Sequence, residues 1–290
     1  MKTYFVSSDI HGFYSIYRKA LSEAGYQENN EDHVLIVLGD LFDRGKESKK
    51  VYSFLRFLPP SRRILIRGNH ESLLLDLLRA GYPGSHDIHN GTYDTLKQFC
   101  FGYASLQKKI HETFLESLSL PYPERVKKND ALQKRLNHRL YHGKPITEVA
   151  KWIQSEEWVD YFETPRYVFV HAFIPTFLAK GKEGDWRNAP SAAWEDAKWA
   201  CPFRFYLQGY WKSEEEKGKT LVCGHWHTSD FYNHMDFDRG SPTRLKKTDN
   251  PIYRSPAFPG IIGLDACTVL SGKVNVLVLR EDELYPALKP

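Results

Sequence analysis

The sequence predicts an α/β fold built around a mostly parallel sheet. Three observations carry that prediction. An apolar run, a polar loop and an amphipathic helix follow one another three times before residue 81. Each of the three loops carries Asp, Asn or His. Apolar runs that lead into histidine return at 167–171 and 220–225. Alternating strand, loop and helix is the rhythm of parallel strands joined by crossover helices.

The first strand is expected at 3–7, followed by Ser8-Asp9-Ile10-His11-Gly12. A helix over 13–24 sets Phe13, Ile16, Tyr17, Ala20, Leu21 and Ala24 on one face, and Gly25 ends it. The second strand, 34–38, runs into Gly39-Asp40-Leu41-Phe42-Asp43-Arg44-Gly45. The next helix turns Val51, Phe54, Leu55 and Leu58 inward and stops at Pro59-Pro60. The third strand is 63–66. Arg67-Gly68-Asn69-His70-Glu71 then opens a helix with Leu74, Leu77 and Leu78 inside. Glu71 reads as a helix-start carboxylate that complements the macrodipole.

From 81 to about 165 the rhythm breaks. Asn90-Gly91-Thr92-Tyr93-Asp94-Thr95-Leu96 reads as a turn and helix start, 105–118 and 147–158 as helices, and 122–144 as basic with little periodicity. The region is expected to be a helical insertion covering the strand ends, its basic residues solvated. The sheet pattern resumes with strands at 167–170 and 220–223, ending at His171 and at Gly224-His225-Trp226-His227. A polar, Pro-rich loop at about 229–259 reads as a connection or a substrate lid. Closing strands at 261–264 and 274–279 are expected to form a hairpin around Gly272 and Lys273. No Gly/Ser/Pro linker divides the chain, so one domain over 1–290 is expected.

Composition narrows the function classes. No apolar run approaches membrane-spanning length, so no membrane partner is expected. The first residues enter a strand with no secretory h-region. Cys100, Cys201, Cys223 and Cys267 lie far apart without metal-type spacing and read as buried thiols of a cytoplasmic protein. The net charge of +4 suits an anionic substrate but gives no reason to expect nucleic acid.

The strand ends carry the chemistry: Asp9-x-His11, Asp40-x-x-Asp43-Arg44, Asn69-His70-Glu71, His171 and His225-x-His227. In parallel sheets, ligands bind outside the C-terminal ends of the strands. Imidazole, carboxylate and amide oxygen together suit borderline divalent ions such as Mn, Fe or Zn. These are more donors than one ion needs, and two ions about 3.5–4 Å apart with shared ligands would use them.

These motifs, in this order, resemble those of the calcineurin-like metallophosphoesterases, and within them the bacterial serine/threonine phosphatases and symmetrical diadenosine tetraphosphatases. The resemblance runs to Gly263-Leu264-Asp265-Ala266-Cys267 and Ser271-Gly272-Lys273. It implies a four-layer αββα sandwich of two mixed sheets. It also implies that Asp9, His11 and His227 bind one metal, that Asn69, His171 and His225 bind the other, and that Asp40 bridges them. His70 becomes the general acid, Asp43 its orienting carboxylate, and Arg44 the phosphate clamp. Two departures bear on substrate. Phe173 stands where the family usually has glycine, and is expected to narrow or wall the pocket. Trp194-Glu195-Asp196-Ala197 lacks the arginine of a Trp-x-Arg segment, which leaves Arg187, Lys198 or Arg204 to replace it.

The resemblance implies a metal-dependent phosphoric ester hydrolase working by attack of metal-bound hydroxide. The expected substrate is a phosphoprotein, with a dinucleoside polyphosphate or other nucleotide as the alternative. A non-catalytic scaffold that recognises phosphorylated partners is the reading from another class. An intact His70 and Asp43 speak against it, because binding needs no general acid.

Overall fold

Side chains alternate between the two faces of a strand, and that alternation builds four layers here. The structure is a computed structural model that describes residues 1–175, 185–212, 216–236, 244–256 and 260–286. The first sheet contains β1 (Thr3–Ser7), β2 (His33–Val37), β3 (Arg63–Ile66), β4 (Trp158–Val159) and, paired antiparallel to β1, β10 (Leu277–Arg280). Its order is β10-β1-β2-β3-β4. The second sheet contains β5 (Tyr161–Glu163), β6 (Tyr167–Val170), β7 (Thr220–Cys223), β8 (Tyr253–Arg254) and β9 (Ile261–Gly263) in the order β5-β6-β7-β9-β8. β1, β2, β3 and β4 run parallel, as do β6, β7 and β9; the first sheet has one antiparallel margin, β10, and the second has two, β5 and β8.

Tyr4, Val6, Val34, Ile36 and Ile66 of the first sheet meet Tyr167, Phe169, Val222 and Ile262 of the second in an apolar layer between them. The alternate residues Phe5, Leu35, Val37 and Leu65 face helices α1 (Tyr14–Glu23), α2 (Ser48–Phe57) and α3 (Asn69–Ala80). On the far side, Val168, Val170, Leu221, Cys223 and Ile261 pack with Trp186, Trp194 and Phe203. Burial on both faces explains why these strands read as continuous apolar runs. The result is the expected αββα order: two mixed sheets flanked by helices.

Between the third and fourth strands lie five helices: α4 (Ser85–Asn90), α5 (Thr92–Phe99), α6 (Tyr103–Glu116), α7 (Tyr122–His142) and α8 (Lys144–Ile153). The weakly periodic basic stretch is one long helix, α7. Only a narrow stripe that includes Leu132, Leu136 and Leu140 reaches the core, so the apolar signal is sparse. Two expectations need correction. The helices stop before 158–163, where β4 and β5 extend the two sheets. The closing strands form no hairpin: β9 belongs to the second sheet and β10 to the first, with a short helix at Thr268–Ser271 between them. Neighbours in sequence are separated here because each strand fills an open position in a different sheet. Within the expected 229–259 loop, Asn233 bonds the backbone of Leu245 twice (2.9 and 3.0 Å) and β8 pairs with β9. The described part is therefore anchored, while 237–243 and 257–259 lie outside the described residues.

Candidate metal centre

The strand-end loops are tied to one another by backbone before any side chain acts. Asp9 N donates to Gly39 O (3.2 Å), His11 N to Asp40 O (2.9 Å) and Gly12 N to Leu41 O (2.7 Å). The Glu71 carboxylate accepts from the backbone N–H of Asp40 (2.9 Å), Leu41 (2.9 Å) and Gly68 (2.8 Å). Its role is thus larger than a helix-start charge: it holds the second and third loops together. At Gly68 a Cβ would stand 2.6 Å from Asp40 N, so only glycine allows these loops to meet. Asp9, His11, Asp40, Asp43, Arg44 and His225 all have positive φ, between 48° and 73°. Such conformations cost about 1–3 kcal/mol each in a non-glycine residue and persist where the surroundings fix them.

The two sheets meet at this edge. His171 Nδ1 lies 2.6 Å from Leu38 O, and His225 N donates to Asp9 Oδ2 at 3.0 Å. A ring nitrogen facing a carbonyl must be the N–H, which leaves Nε2 of His171 with its lone pair. That nitrogen stands 2.9 Å from Asn69 Oδ1, 3.3 Å from His225 Nδ1 and 3.4 Å from Asp40 Oδ1. His11 repeats the arrangement: Nδ1 faces Phe42 O at 2.9 Å, and Nε2 looks toward Asp40 Oδ2 (3.7 Å) and Asp9 Oδ1 (3.9 Å).

Asp9, His11, Asp40, Asn69 and His171 are all buried. Backbone N–H groups of His70 and His225 reach Asp40 Oδ1 (3.1 Å) and Asp9 Oδ2 (3.0 Å), but Asp40 Oδ2, Asp9 Oδ1, Asn69 Oδ1 and the lone pairs of His11 and His171 converge as acceptors, an arrangement that favours a cation. Ligand atoms on bonds of about 2.1 Å at right angles stand about 3 Å apart, close to the spacing around His171 Nε2. Asp40 belongs to two groups of candidate ligands, each gathered within 4.8 Å: one with His171 and His225, and one with His11 and His70, of which His70 is held by Asp43 and leaves its place to Asp9 beside His11. The residues present therefore fit a pair of metal ions that share Asp40.

Electrostatics follow from burial. It holds His11 well below the usual imidazole range and takes His225 down to about 3, so both favour the neutral form that binds metals. Burial, then the Asp40 charge, pushes the Asp9 carboxyl up. Burial pushes Asp40 up as well, but His171, His70, His11 and His225 together hold it below the usual carboxylate range.

His70 is placed differently from the other histidines. Its Nδ1 is 2.6 Å from Asp43 Oδ2, and its Nε2 faces Arg44 Nη2 at 3.4 Å and Asp40 Oδ2 at 3.8 Å. Burial lowers its pKa, yet Asp40 and the Asp43 bond reverse this and raise it to about 9. Asp43 itself is completely buried and points to His70 rather than into the ligand groups, while Arg44 is exposed.

His227 is the least engaged of the expected ligands. It is partly exposed, and its ring nitrogens have Asp265 (3.9 Å) and Asp230 (3.9 Å) within 4 Å, but neither Asp9 nor Asp40. Asp265, passed over in the sequence as part of a closing strand, is a buried carboxyl pushed well up by burial and by Asp9. Its position in the shared Gly-Leu-Asp segment was the available signal.

The departures resolve differently. Phe173 is buried in the outer core and stacks on Phe205 (centroids 5.6 Å), so it does not wall the pocket. The helix-covered side of the second sheet accepts the ring. Arg187 is bound by Glu163, Asp185 and Glu216, and Lys198 by Glu195 and Asp160, so both cations are already engaged by acids. Trp186, Trp194 and Trp211 are buried, whereas Trp199 is 53% exposed with its ring 6.1 Å from that of His225.

Comparison with known proteins bears on the family and the fold. Over 87 residues the chain is 38% identical to serine/threonine-protein phosphatase 1 of Salmonella typhimurium, an alignment covering 30% of this chain and 38% of that protein. Over 101 residues it is 39% identical to the symmetrical bis(5'-nucleosyl)-tetraphosphatase of Buchnera aphidicola, covering 35% of this chain and 31% of that one. The chain thus spans about a third of the length of these curated relatives. Among solved structures, a point mutant of a cold-active protein tyrosine phosphatase superposes with a TM-score of 0.53 at 15% identity, covering 97% of this chain and 76% of that one. The cold-active protein-tyrosine phosphatase of a psychrophilic Shewanella gives 0.50 at 15% identity over the same shares. These two likenesses concern the fold. The calcineurin-like phosphoesterase profile matches residues 2–229, and the chain belongs to that family.

Proposed function

We propose that the chain is a two-metal phosphoesterase. The observation that carries this is the place of the Asp40 carboxylate between His11 and Asp9 on one side and His171 with half-buried His225 on the other. On this reading Asp9, His11 and His227 hold one ion, Asn69, His171 and His225 the other, and Asp40 serves both. The donor set favours Mn, Fe or Zn. Bound there, the ions would neutralise phosphate charge and activate the attacking water.

The chain's own residues do the rest. Arg44, exposed at the mouth, grips the phosphate oxygens through its fork of donors. A water oxygen bonds to phosphorus as the ester P–O bond breaks; the leaving oxygen takes the proton from His70 Nε2, and the proton shed by the water passes to solvent, from which His70 is reprotonated. Asp43 holds the opposite ring nitrogen and so fixes which one carries the mobile proton. No protein group bonds to phosphorus. The His70–Asp43 pair favours an enzyme over a phosphate-binding scaffold. Four buried free cysteines favour a reducing, cytoplasmic setting. The continuous sandwich favours one domain over 1–290 with a helical insertion.

A phosphomonoesterase of the serine/threonine phosphatase kind is our first reading, in keeping with the Salmonella relative. Nucleotide hydrolysis is the second, and one observation favours it: exposed Trp199 beside His225 offers a face on which a base can stack. Purified Mn-loaded protein assayed on p-nitrophenyl phosphate, a phosphoserine peptide and diadenosine tetraphosphate separates them. Turnover of the peptide supports the first, and preference for the dinucleotide the second. Two bound metals with no turnover of any substrate would leave the scaffold.

A further inference from the structure

Helix α5 of the region between β3 and β4 reaches into the pair formed by His70 and Asp43. The Asp43 carboxylate receives a hydrogen bond from Thr92 Oγ1 to Oδ2 (2.7 Å) and one from Thr95 Oγ1 to Oδ1 (2.7 Å), besides its contact with His70 Nδ1 (2.6 Å). Thr95 Oγ1 in turn accepts the backbone N–H of Asp43 at 2.9 Å. Each hydroxyl uses its one proton on the carboxylate, so the donor count closes without water. Thr92, Thr95 and Asp43 are all 0% exposed. Both threonines belong to α5, at the start of which Gly91 lies against the next residue of the loop. A Cβ on Gly91 would stand 2.5 Å from Arg44 N, and its φ of +85° also favours glycine.

A buried carboxylate is costly to desolvate unless donors surround it. The two hydroxyls supply those donors, and their directions fix the carboxylate plane. The imidazole then has one acceptor in one place, and its Nε2 has one direction. Without the hydroxyls, the Asp43 carboxylate would be free to rotate about its side-chain bonds, and the His70 ring would turn with it.

We infer that Thr92 and Thr95 are positioning residues for the general acid: helix α5 of the insertion holds Asp43 so that His70 Nε2 is aimed at the leaving oxygen. This rests on the phosphoesterase reading above.

Leaving groups of different acidity separate positioning from mere structure. An acidic phenol, as in p-nitrophenyl phosphate, departs with little help, while an alkyl alcohol needs the proton. In Mn-loaded protein, Thr92→Val and Thr95→Val together should cut kcat for an alkyl phosphate about 100-fold and that for p-nitrophenyl phosphate only about 3-fold, because acid catalysis is worth about 10²–10⁴ and matters least for good leaving groups. His70→Ala should show the same bias in stronger form. Bound metal, measured by elemental analysis, should equal that of the native protein. Thr92→Ser with Thr95→Ser keeps both hydroxyls and should restore the native ratio of the two rates.

Equal losses on both substrates, or no loss on either, would overturn the inference, as would a changed ratio in the serine variant. If the valine protein does not fold, the serine variant and Thr95→Ala carry the same comparison. Native protein with no activity on either ester or on diadenosine tetraphosphate would instead overturn the phosphoesterase reading itself, so the two failures are distinct.

Discussion

The two halves of the candidate centre are built to different tolerances. Around His171, ligand atoms from three loops stand within 2.9–3.4 Å, and the ring is locked by Leu38 O. Around His11 the corresponding distances are 3.7–3.9 Å, and the third expected ligand, His227, has a buried Nδ1 without a hydrogen-bond partner. A metal-binding imidazole normally donates its second nitrogen to a fixed acceptor, and that bond sets its direction. His171 and His11 have such an acceptor, and His227 does not. The atoms around His171 already stand at ligand spacing, whereas those around His11 and His227 are further apart.

The largest effect should come from the group both halves share. Asp40→Asn should lower activity at least about 10³-fold, since charge stabilisation by metals is worth several kcal/mol. Steady-state kinetics checks this, and a loss confined to one half would break the comparison. Next, His70→Ala should cost about 10²–10⁴ in kcat while leaving bound metal at the native level, because the residue acts on the leaving group rather than as a ligand. Asp265→Asn sharpens the contrast. It touches only the loose half and should weaken one metal equivalent about 10–100-fold while sparing the other, as expected for loss of a supporting carboxylate. Competitive chelation would show this as two separated binding steps.

The pH profile gives a smaller, signed effect. His70 must carry its proton to serve as acid, and its pKa is raised to about 9 despite burial, by Asp40 and the Asp43 bond. Cations on Asp40 offset that carboxylate's charge, so in the metal-loaded enzyme activity should fall about tenfold per unit above a pKa lying below that value. Asp43→Asn removes one of the raising influences and should move the fall to lower pH. The smallest expected change is in Trp199→Ala, which should weaken a stacked nucleotide by about 1–3 kcal/mol in binding and alter an alkyl phosphate little. Ratios of KM for the two substrates measure it.

Much of this was legible in the sequence, for reasons that differ by element. Residues 3–7, 63–66, 167–170 and 220–223 read as strands and are β1, β3, β6 and β7, because strands buried on both faces leave unbroken apolar runs. The candidate ligands were legible because parallel topology delivers strand ends to one edge. What was hidden was long-range or conformational. Thr92 and Thr95 reach Asp43 from 49 and 52 residues away, and no periodicity encodes such a bond. Asp9, Asp40 and Arg44 adopt positive φ without being glycine, so the sharp turns that aim them gave no signal. The false hairpin at 261–279 arose because pairing was inferred from proximity in sequence, whereas β10 completes the first sheet beside β1.

The shared carboxylate is the centre of the account, and metal stoichiometry tests it most directly. After loading with Mn and removal of free ion, elemental analysis of the native protein should find about two equivalents per chain, as a two-metal site requires, and Asp40→Asn should retain neither. A native protein that takes up only one equivalent, or an Asp40→Asn protein that keeps two, would contradict it.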